Sequence, residues 1–306
     1  MTGPGPAGAG PAGPTPMGAS RVGAGPDATV PGGPLVSVVV PTRNAARTLG
    51  ACLRSVRAQD HPAVELIVVD NDSGDGTFEI ATELADLAVR GGPERSAQRN
   101  RGVELARGDW VCWVDADMVL DPNVVSAALV TAAATGAVAV SVPESSFGPG
   151  FWTACRALER SCYLDDPSLH NPRLLRRDYL RSLGGFDPAM SGPEDADLRH
   201  RLRADAAVTG YCAEAFIRHD EGRLTLRGVL AKRVYYGRSL PAFAAKNPGA
   251  VGGQGAGTAR ALLRHRRRLA HRPGLATGML LLRALEAAAY GAGAWQGRAA
   301  AARGRR

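Results

Sequence analysis

The sequence predicts an α/β fold, a doubly wound and mostly parallel sheet flanked by helices. Three observations carry this reading. Short β-branched runs alternate with stretches of helical periodicity. The runs are apolar throughout, as strands buried on both faces are. Each run then stops on polar residues with a short connection to the next element. The composition agrees: 306 residues, 45% hydrophobic and 22% charged, describe a soluble globular chain with ample length for a core. Collagen-like, fully disordered and polytopic membrane chains are excluded.

Taken in order, residues 1–34 hold 10 Gly and 8 Pro but only two charges, Arg21 and Asp27. Such a segment cannot bury enough apolar surface to offset its ordering entropy, and it predicts disorder. It has neither the charged start nor the apolar stretch of a secretory signal. Order begins at Leu35, where LVSVVV at 35–40 reads as a buried strand ending at Pro41. Residues 45–58 place Ala46, Leu49, Cys52, Leu53 and Val56 at helical spacing, with arginines opposite. A second strand at 64–69 stops at Asp70, and a polar turn leads into a helix over roughly 77–88. A third strand at 110–114 ends on Asp115. The five cysteines form no CxxC pair, so reduced thiols in a cytosolic protein are expected rather than a zinc site or disulfide framework.

Sheets of this kind bind ligands at the carboxyl ends of their strands. Here those ends carry Pro41-Thr42-Arg43-Asn44, Asp70-Asn71-Asp72 and Asp115-Ala116-Asp117. No GxGxxG follows the first strand and no GxxxxGK[ST] occurs, so loops and a metal must hold the phosphates of any bound nucleotide. Asp115 and Asp117 can turn toward one cation, for which hard oxygen ligands suit Mg2+ or Mn2+. The same tripeptide also reads as a capping turn ahead of Pro122. Haloacid dehalogenase-type phosphatases share a DxD after a strand, but a small residue and Thr come next there, whereas Met118-Val119 come next here. Glu194-Asp195-Ala196-Asp197 opens a helical pattern and reads as an N-terminal cap. Three acids in four residues exceed what a cap needs, and a carboxylate at a pocket edge can also take a proton from a sugar hydroxyl. His219 reads either as a buried hydrogen-bonded residue or as a distant third metal ligand.

The net charge of +8 is unevenly placed. From Lys232 onward there are 15 Lys and Arg against one acid, Glu286, a net +14; the first 231 residues hold 22 basic and 28 acidic groups, a net −6. With only 5% aromatic residues, base stacking is a poor account of the basic tail, and no nucleic-acid partner is expected.

In their order, these motifs resemble family-2 glycosyltransferases, inverting enzymes of the GT-A fold. The resemblance is carried by Val38-Val39-Val40-Pro41-Thr42-Arg43-Asn44, by Asp70-Asn71-Asp72-Ser73 with Asp75-Gly76-Thr77, and by Glu94-Arg95-Ser96-Ala97-Gln98-Arg99-Asn100-Arg101-Gly102. Asp115-Ala116-Asp117, Gly184-Gly185-Phe186-Asp187 and Glu194-Asp195-Ala196-Asp197-Leu198 continue it. It covers roughly 35–225 and implies a GT-A domain there, followed by a basic helical region over 226–306. The resemblance also implies roles. Pro41, Thr42 and Asn44 would line the nucleotide pocket, with Asp70 on the base or ribose and Asp72 nearby. Arg95 and Arg99 would face the diphosphate or frame its loop. Asp115 would touch the ribose or a metal-bound water, Asp117 would ligate Mn2+ or Mg2+, and His219 would complete the metal site. Asp195 would be the general base, with Glu194 beside it addressing the acceptor or orienting the base. Gly184, Gly185 and Phe186 would shape the junction of donor sugar and acceptor. The donor would be a nucleotide-sugar, UDP ahead of GDP, and the acceptor a glycan or lipid-linked hydroxyl in cell-envelope synthesis.

Processive members carry QxxRW in a place where this chain has none. Arg233, Tyr235, Tyr236 and Arg238 are expected either to contact acceptor or diphosphate, or to form a solvated basic helix with an aromatic packing face. Residues 264–268 precede an apolar stretch over 275–295 that contains Arg283 and Glu286, so an interfacial helix on anionic lipid is expected rather than a span. That places a cytoplasmic protein peripherally on the inner face of the cell membrane, with residues 260–306 as contact. The competing readings are a nucleotidyltransferase of related fold, which usually has a glycine- and lysine-rich loop after its first strand, and a non-enzymatic basic protein binding membrane or nucleic acid.

Overall fold

The computed structural model describes residues 33–190, 192–248 and 250–303. The segment predicted to be disordered lies outside these, apart from its last two residues. The first half runs β1 (Val36–Thr42), α1 (Ala46–Arg57), β2 (Val64–Asp70), α2 (Thr77–Leu84), β3 (Leu87–Arg90), α3 (Arg95–Leu105) and β4 (Trp110–Trp113). Next come β5 (Met118–Leu120), α4 (Val124–Thr135), β6 (Ala139–Ser141), β7 (Glu144–Phe147), α5 (Phe151–Ser161), β8 (Pro172–Arg176), α6 (Arg177–Ser182), α7 (Glu194–Ala204), β9 (Thr209–Tyr211) and β10 (Ile217–Asp220). The remaining described elements are helices: α8 (Leu226–Gly237), α9 (Leu240–Lys246), α10 (Ala250–Arg264), α11 (Arg266–Ala270) and α12 (Pro273–Arg303).

The main sheet has the order β3-β2-β1-β4-β8-β6-β9, and β1, β2, β3 and β4 pair in parallel. Being central, β1 is buried along its whole length. Val38 and Val40 join Leu49, Cys52, Leu53 and Val56 of α1 in one core, while Val39 joins the core on the α3 side. Each such valine contributes roughly 1.5–3 kcal/mol of burial. Gly102 is needed where α3 crosses β1, because a Cβ there would lie 2.2 Å from Val39 Cγ1.

The helix predicted over 77–88 stops at Leu84, and the chain turns extended at Ala85 to add β3 beside β2. Asp86 explains the switch: its carboxylate accepts from the Leu66 amide at 2.7 Å and pairs with Arg57. The strand at 110–114 is therefore the fourth in sequence, not the third. A second, three-stranded sheet, β5-β10-β7, stands beside the main one. All five cysteines are buried and free.

α12 packs on α8 and α5 at backbone distance. A Cβ on Gly293 would meet Val234 O at 2.1 Å, and one on Gly237 would meet Tyr290 O at 2.3 Å. Met279 and Leu282 are buried in this seam, and Glu286 accepts from Arg156 Nη2 and from Arg233 Nε (2.8 Å). Among the described residues, no helix is long and apolar enough to cross a membrane.

Candidate active site

The carboxyl ends of β1, β2 and β4 open into a cavity of about 770 Å3. On its floor, Gln98 of α3 donates from Nε2 to Thr42 O (2.8 Å) and Val69 O (2.7 Å), tying the ends of β1 and β2 together. Gln98 lines the cavity, yet the sequence assigns it no role; an amide that bridges two strand-end carbonyls has no signature beyond its place in the helix. Pro41, Thr42, Asn44 and Asn71 line the same wall. Asn44 sits at φ 49° and its side-chain oxygen accepts from the Gly74 amide at 3.1 Å, joining the two loops.

Asp70 does not reach the cavity. It is fully buried and accepts from Thr42 Oγ1 (2.8 Å), Ser73 N (2.9 Å) and Ser73 Oγ (2.6 Å). Asp72 stands outside it, 82% exposed and 3.9 Å from Arg90. Gly185 and Phe186 lie beneath α3, where Asn100 grips Phe186 through its N–H (2.8 Å) and C=O (2.7 Å). Phe186 meets Trp113 edge to face and is buried.

Arg95 and Arg99 project from one face of α3, four residues apart. Each binds acids of the α7 start. Arg95 donates to Glu194 Oε1 (3.0 Å) and Tyr236 Oη (2.9 Å). Arg99, wholly buried, forks between Asp195 Oδ1 (2.7 Å) and Asp115 Oδ1 (2.9 Å). Burial alone would raise the Asp115 carboxyl, but Arg95, Arg99 and Arg173 hold it well below the usual carboxylate range.

The two carboxylates at the start of α7 differ in what they have left to give. Glu194 is buried and spends both oxygens, one on Arg95 and one on the Gly192 amide (2.6 Å). Asp195, which lines the cavity, accepts from Arg99 through Oδ1 (2.7 Å) and from Asn171 Nδ2 through Oδ2 at a longer 3.5 Å. Asp197, fully buried, is taken by Arg201, Lys246 and Asn247.

His219 reaches the Asp115-Ala116-Asp117 turn because β10 pairs antiparallel with β5, setting His219 opposite Met118. Its Nε2 lies 2.9 Å from Asp117 Oδ2. Burial would lower the imidazole, but the Asp117 carboxylate raises it. Asp117 Oδ1 is buried with no hydrogen-bond partner, as is His219 Nδ1. An unpartnered carboxylate oxygen beside an imidazole is a donor set that fits a divalent cation. Among the described residues, no three Asp, Glu, His or Cys side chains are grouped so as to hold a metal ion by themselves. Glu221, which accepts from Ser146 Oγ (2.9 Å) and lies 3.7 Å from His219 Nδ1, also lines the cavity. Opposite stands a buried cluster, Glu144 with Arg173 (2.6 Å) and Arg160 (2.9 Å). Burial pushes the Glu144 carboxyl up, yet the two guanidiniums bring it down to about 2.

The final wall comes from the tail. Arg233, Tyr235 and Tyr236 of α8 and Glu286 of α12 line the cavity. Arg238 does not; its Nε donates to Gln296 Oε1 at 3.1 Å.

Residues 37–190, half of the chain, match the family profile described as Glycosyl transferase family 2. The chain belongs to glycosyl transferase family 2. Among curated relatives it is 34% identical over 94 residues to the uncharacterized glycosyltransferase YibD of Escherichia coli, a match covering 29% of this chain and 27% of that protein. It is 38% identical over 91 residues to a PGL/p-HBAD biosynthesis glycosyltransferase of Mycobacterium bovis, covering 28% and 36%. The chain thus spans about a third or less of these relatives. Among solved structures, the mannosyltransferase PcManGT from Pyrobaculum calidifontis, in complex with GDP-Man and Mn2+, superposes with a TM-score of 0.56 over 86% of this chain and 87% of that one, at 22% identity. That likeness establishes the shared GT-A fold.

Proposed function

We propose that the protein is a metal-dependent inverting glycosyltransferase that moves a sugar from a nucleoside-diphosphate sugar, UDP ahead of GDP, to an acceptor hydroxyl. The observation that carries this is the convergence of one proton-accepting carboxylate and one cation-fitting pair on a single cavity. Asp195 Oδ2 is the oxygen left to take the acceptor proton, which selects Asp195 over the saturated Glu194 as general base. Arg99 fixes it by holding Oδ1, and the same guanidinium fixes Asp115. Asp117 and His219, with Asp115 directly or through water, would hold Mn2+ or Mg2+, which supplies charge stabilisation to the departing diphosphate. A leaving group of that kind needs no protonation, so one base suffices for a single displacement that inverts the anomeric centre. Pro41, Thr42, Asn44 and Asn71 frame the nucleotide end, and Arg233 and Tyr236 bound the acceptor end. Asp70, Gly185 and Phe186 support this frame from beneath.

In this reading residues 35–225 form the transferase domain and 226–306 a helical extension that completes its wall. The acceptor is a glycan or lipid-linked hydroxyl in cell-envelope synthesis, and the protein works peripherally at the inner face of the cell membrane. A thermal-shift series of nucleotide-sugars with and without Mn2+ tests the core of the proposal. Metal-dependent stabilisation by one donor is expected; no shift with any donor overturns it.

A further inference from the structure

The outward face of α12 has no counterpart in the site. From residue 277 to 295 every exposed side chain on this helix is uncharged. Leu280, Leu281 and Trp295 are 58%, 50% and 72% exposed, with Ala284, Ala288 and Gly291 between them. Their spacing places them on one side of the helix, a strip about 22 Å long. The opposite side is committed to α5 and α8 through Met279, Leu282, Glu286 and Gly293. The helix can therefore lie in an interface but cannot leave the domain to cross one.

Charge brackets the strip. Arg266, Arg267, Arg268 and Arg272 are exposed just before it, and Arg298 just after. The one acid beyond Lys232, Glu286, is buried against Arg156 and Arg233, so the described tail presents no negative charge of its own outward. At the arginine end a second cavity of about 860 Å3 has Ala154, Leu158 and Leu275 on its floor and Arg268, His271 and Arg272 on its rim. Apolar floor and cationic rim together match a phosphate-headed amphiphile. Trp295, at the far end beside Arg298, is the side chain that favours the headgroup boundary.

We infer that the Leu280–Leu281–Trp295 face of α12 and the arginines of α11 together form the surface that docks the protein flat onto an anionic lipid bilayer. This deepens the peripheral-membrane reading and rests on it, independently of which sugar is transferred. Docking by this face leaves the fold unchanged, since the packed side of α12 stays packed.

The test is flotation of the full chain with vesicles of phosphatidylcholine alone or mixed with phosphatidylglycerol. Point variants are needed, because truncation before α12 would strip Met279 and Leu282 from their seam. The wild-type chain is expected to float with the anionic vesicles only, and less as salt rises. L280S/L281S/W295S is expected to lose partitioning by roughly tenfold or more, and R266Q/R267Q/R272Q to lose roughly fivefold per arginine, both with unchanged melting temperature and donor binding. If the wild type floats and L280S/L281S/W295S floats equally well, this face is not the docking surface. If the wild type does not float, the peripheral reading falls as well. A dimer by light scattering that L280S/L281S/W295S converts to monomer would assign the face to a second copy and overturn the inference.

Discussion

Two Asp-x-Asp tripeptides end strands of this sheet on either side of β1, and they have opposite fates. In Asp70-Asn71-Asp72 the first carboxylate is consumed by Thr42 and Ser73 and the second points to solvent. In Asp115-Ala116-Asp117 the first is linked to Asp195 through Arg99, and the second keeps a buried oxygen unpartnered beside His219. The difference lies in the element that each turn leads into. After Asp72 the chain enters α2 through Ser73 and Thr77, whose hydroxyls serve the loop; after Asp117 it enters β5, which recruits β10 and with it the histidine. A strand end supplies the place for chemistry, and a distant strand decides whether the carboxylate is free to perform it.

Substitutions can widen or erase this contrast. The largest effect is expected at the partner of the second tripeptide: Asp195→Asn should lower kcat by about 10²–10⁴ with donor binding retained, read by steady-state kinetics beside donor calorimetry. Asp117→Ala should cost on the order of 10²-fold in kcat/KM and abolish the Mn2+ dependence of donor binding; a full metal response in this variant would remove the distinction between the two turns. Asp70→Ala should act on stability instead, by about 1–3 kcal/mol in denaturant unfolding, because it strands Thr42 and Ser73. Acid sensitivity should belong to the second region. The Glu144 carboxyl is depressed from 4.5 to about 2, so its contribution is present above pH 4.5 and is lost as pH falls through that range toward 2. Urea unfolding across pH should show a slope of at most roughly 1.4 kcal/mol per pH unit from this group, and Glu144→Gln should begin less stable with a flatter profile. Asp72→Ala should change the rate less than about twofold, as expected of an exposed side chain without a tight partner.

Much of this arrangement is legible in the chain. The central strands announce themselves through continuous β-branched runs, and the acidic clusters through their position after them. The ordering of motifs locates Asp117, His219 and Asp195, which the fold does bring to one cavity. Three things stay hidden, each for a physical reason. β3 is masked by helical propensity, because the Asp86 contacts that pull it straight come from residues 57 and 66. The saturation of Asp70 depends on hydroxyls whose direction no spacing reveals. The Glu144–Arg173–Arg160 cluster joins two strands and a helix with no shared pattern, and a charged residue on a short strand reads as surface until its partners are seen.

The ion pair between Arg156 and Glu286 also has a temporal meaning. Its members are 130 residues apart, and Glu286 follows every strand of the sheet in the chain. During synthesis the sheet, Asp195 and the Asp115-Ala116-Asp117 turn are all released before the carboxylate that anchors Arg156 and Arg233 in the cavity wall. The nascent protein therefore passes through a stage with its sheet and polar strand ends made and one wall of its pocket unsecured. A helix made after the whole sheet is the one that completes the vessel.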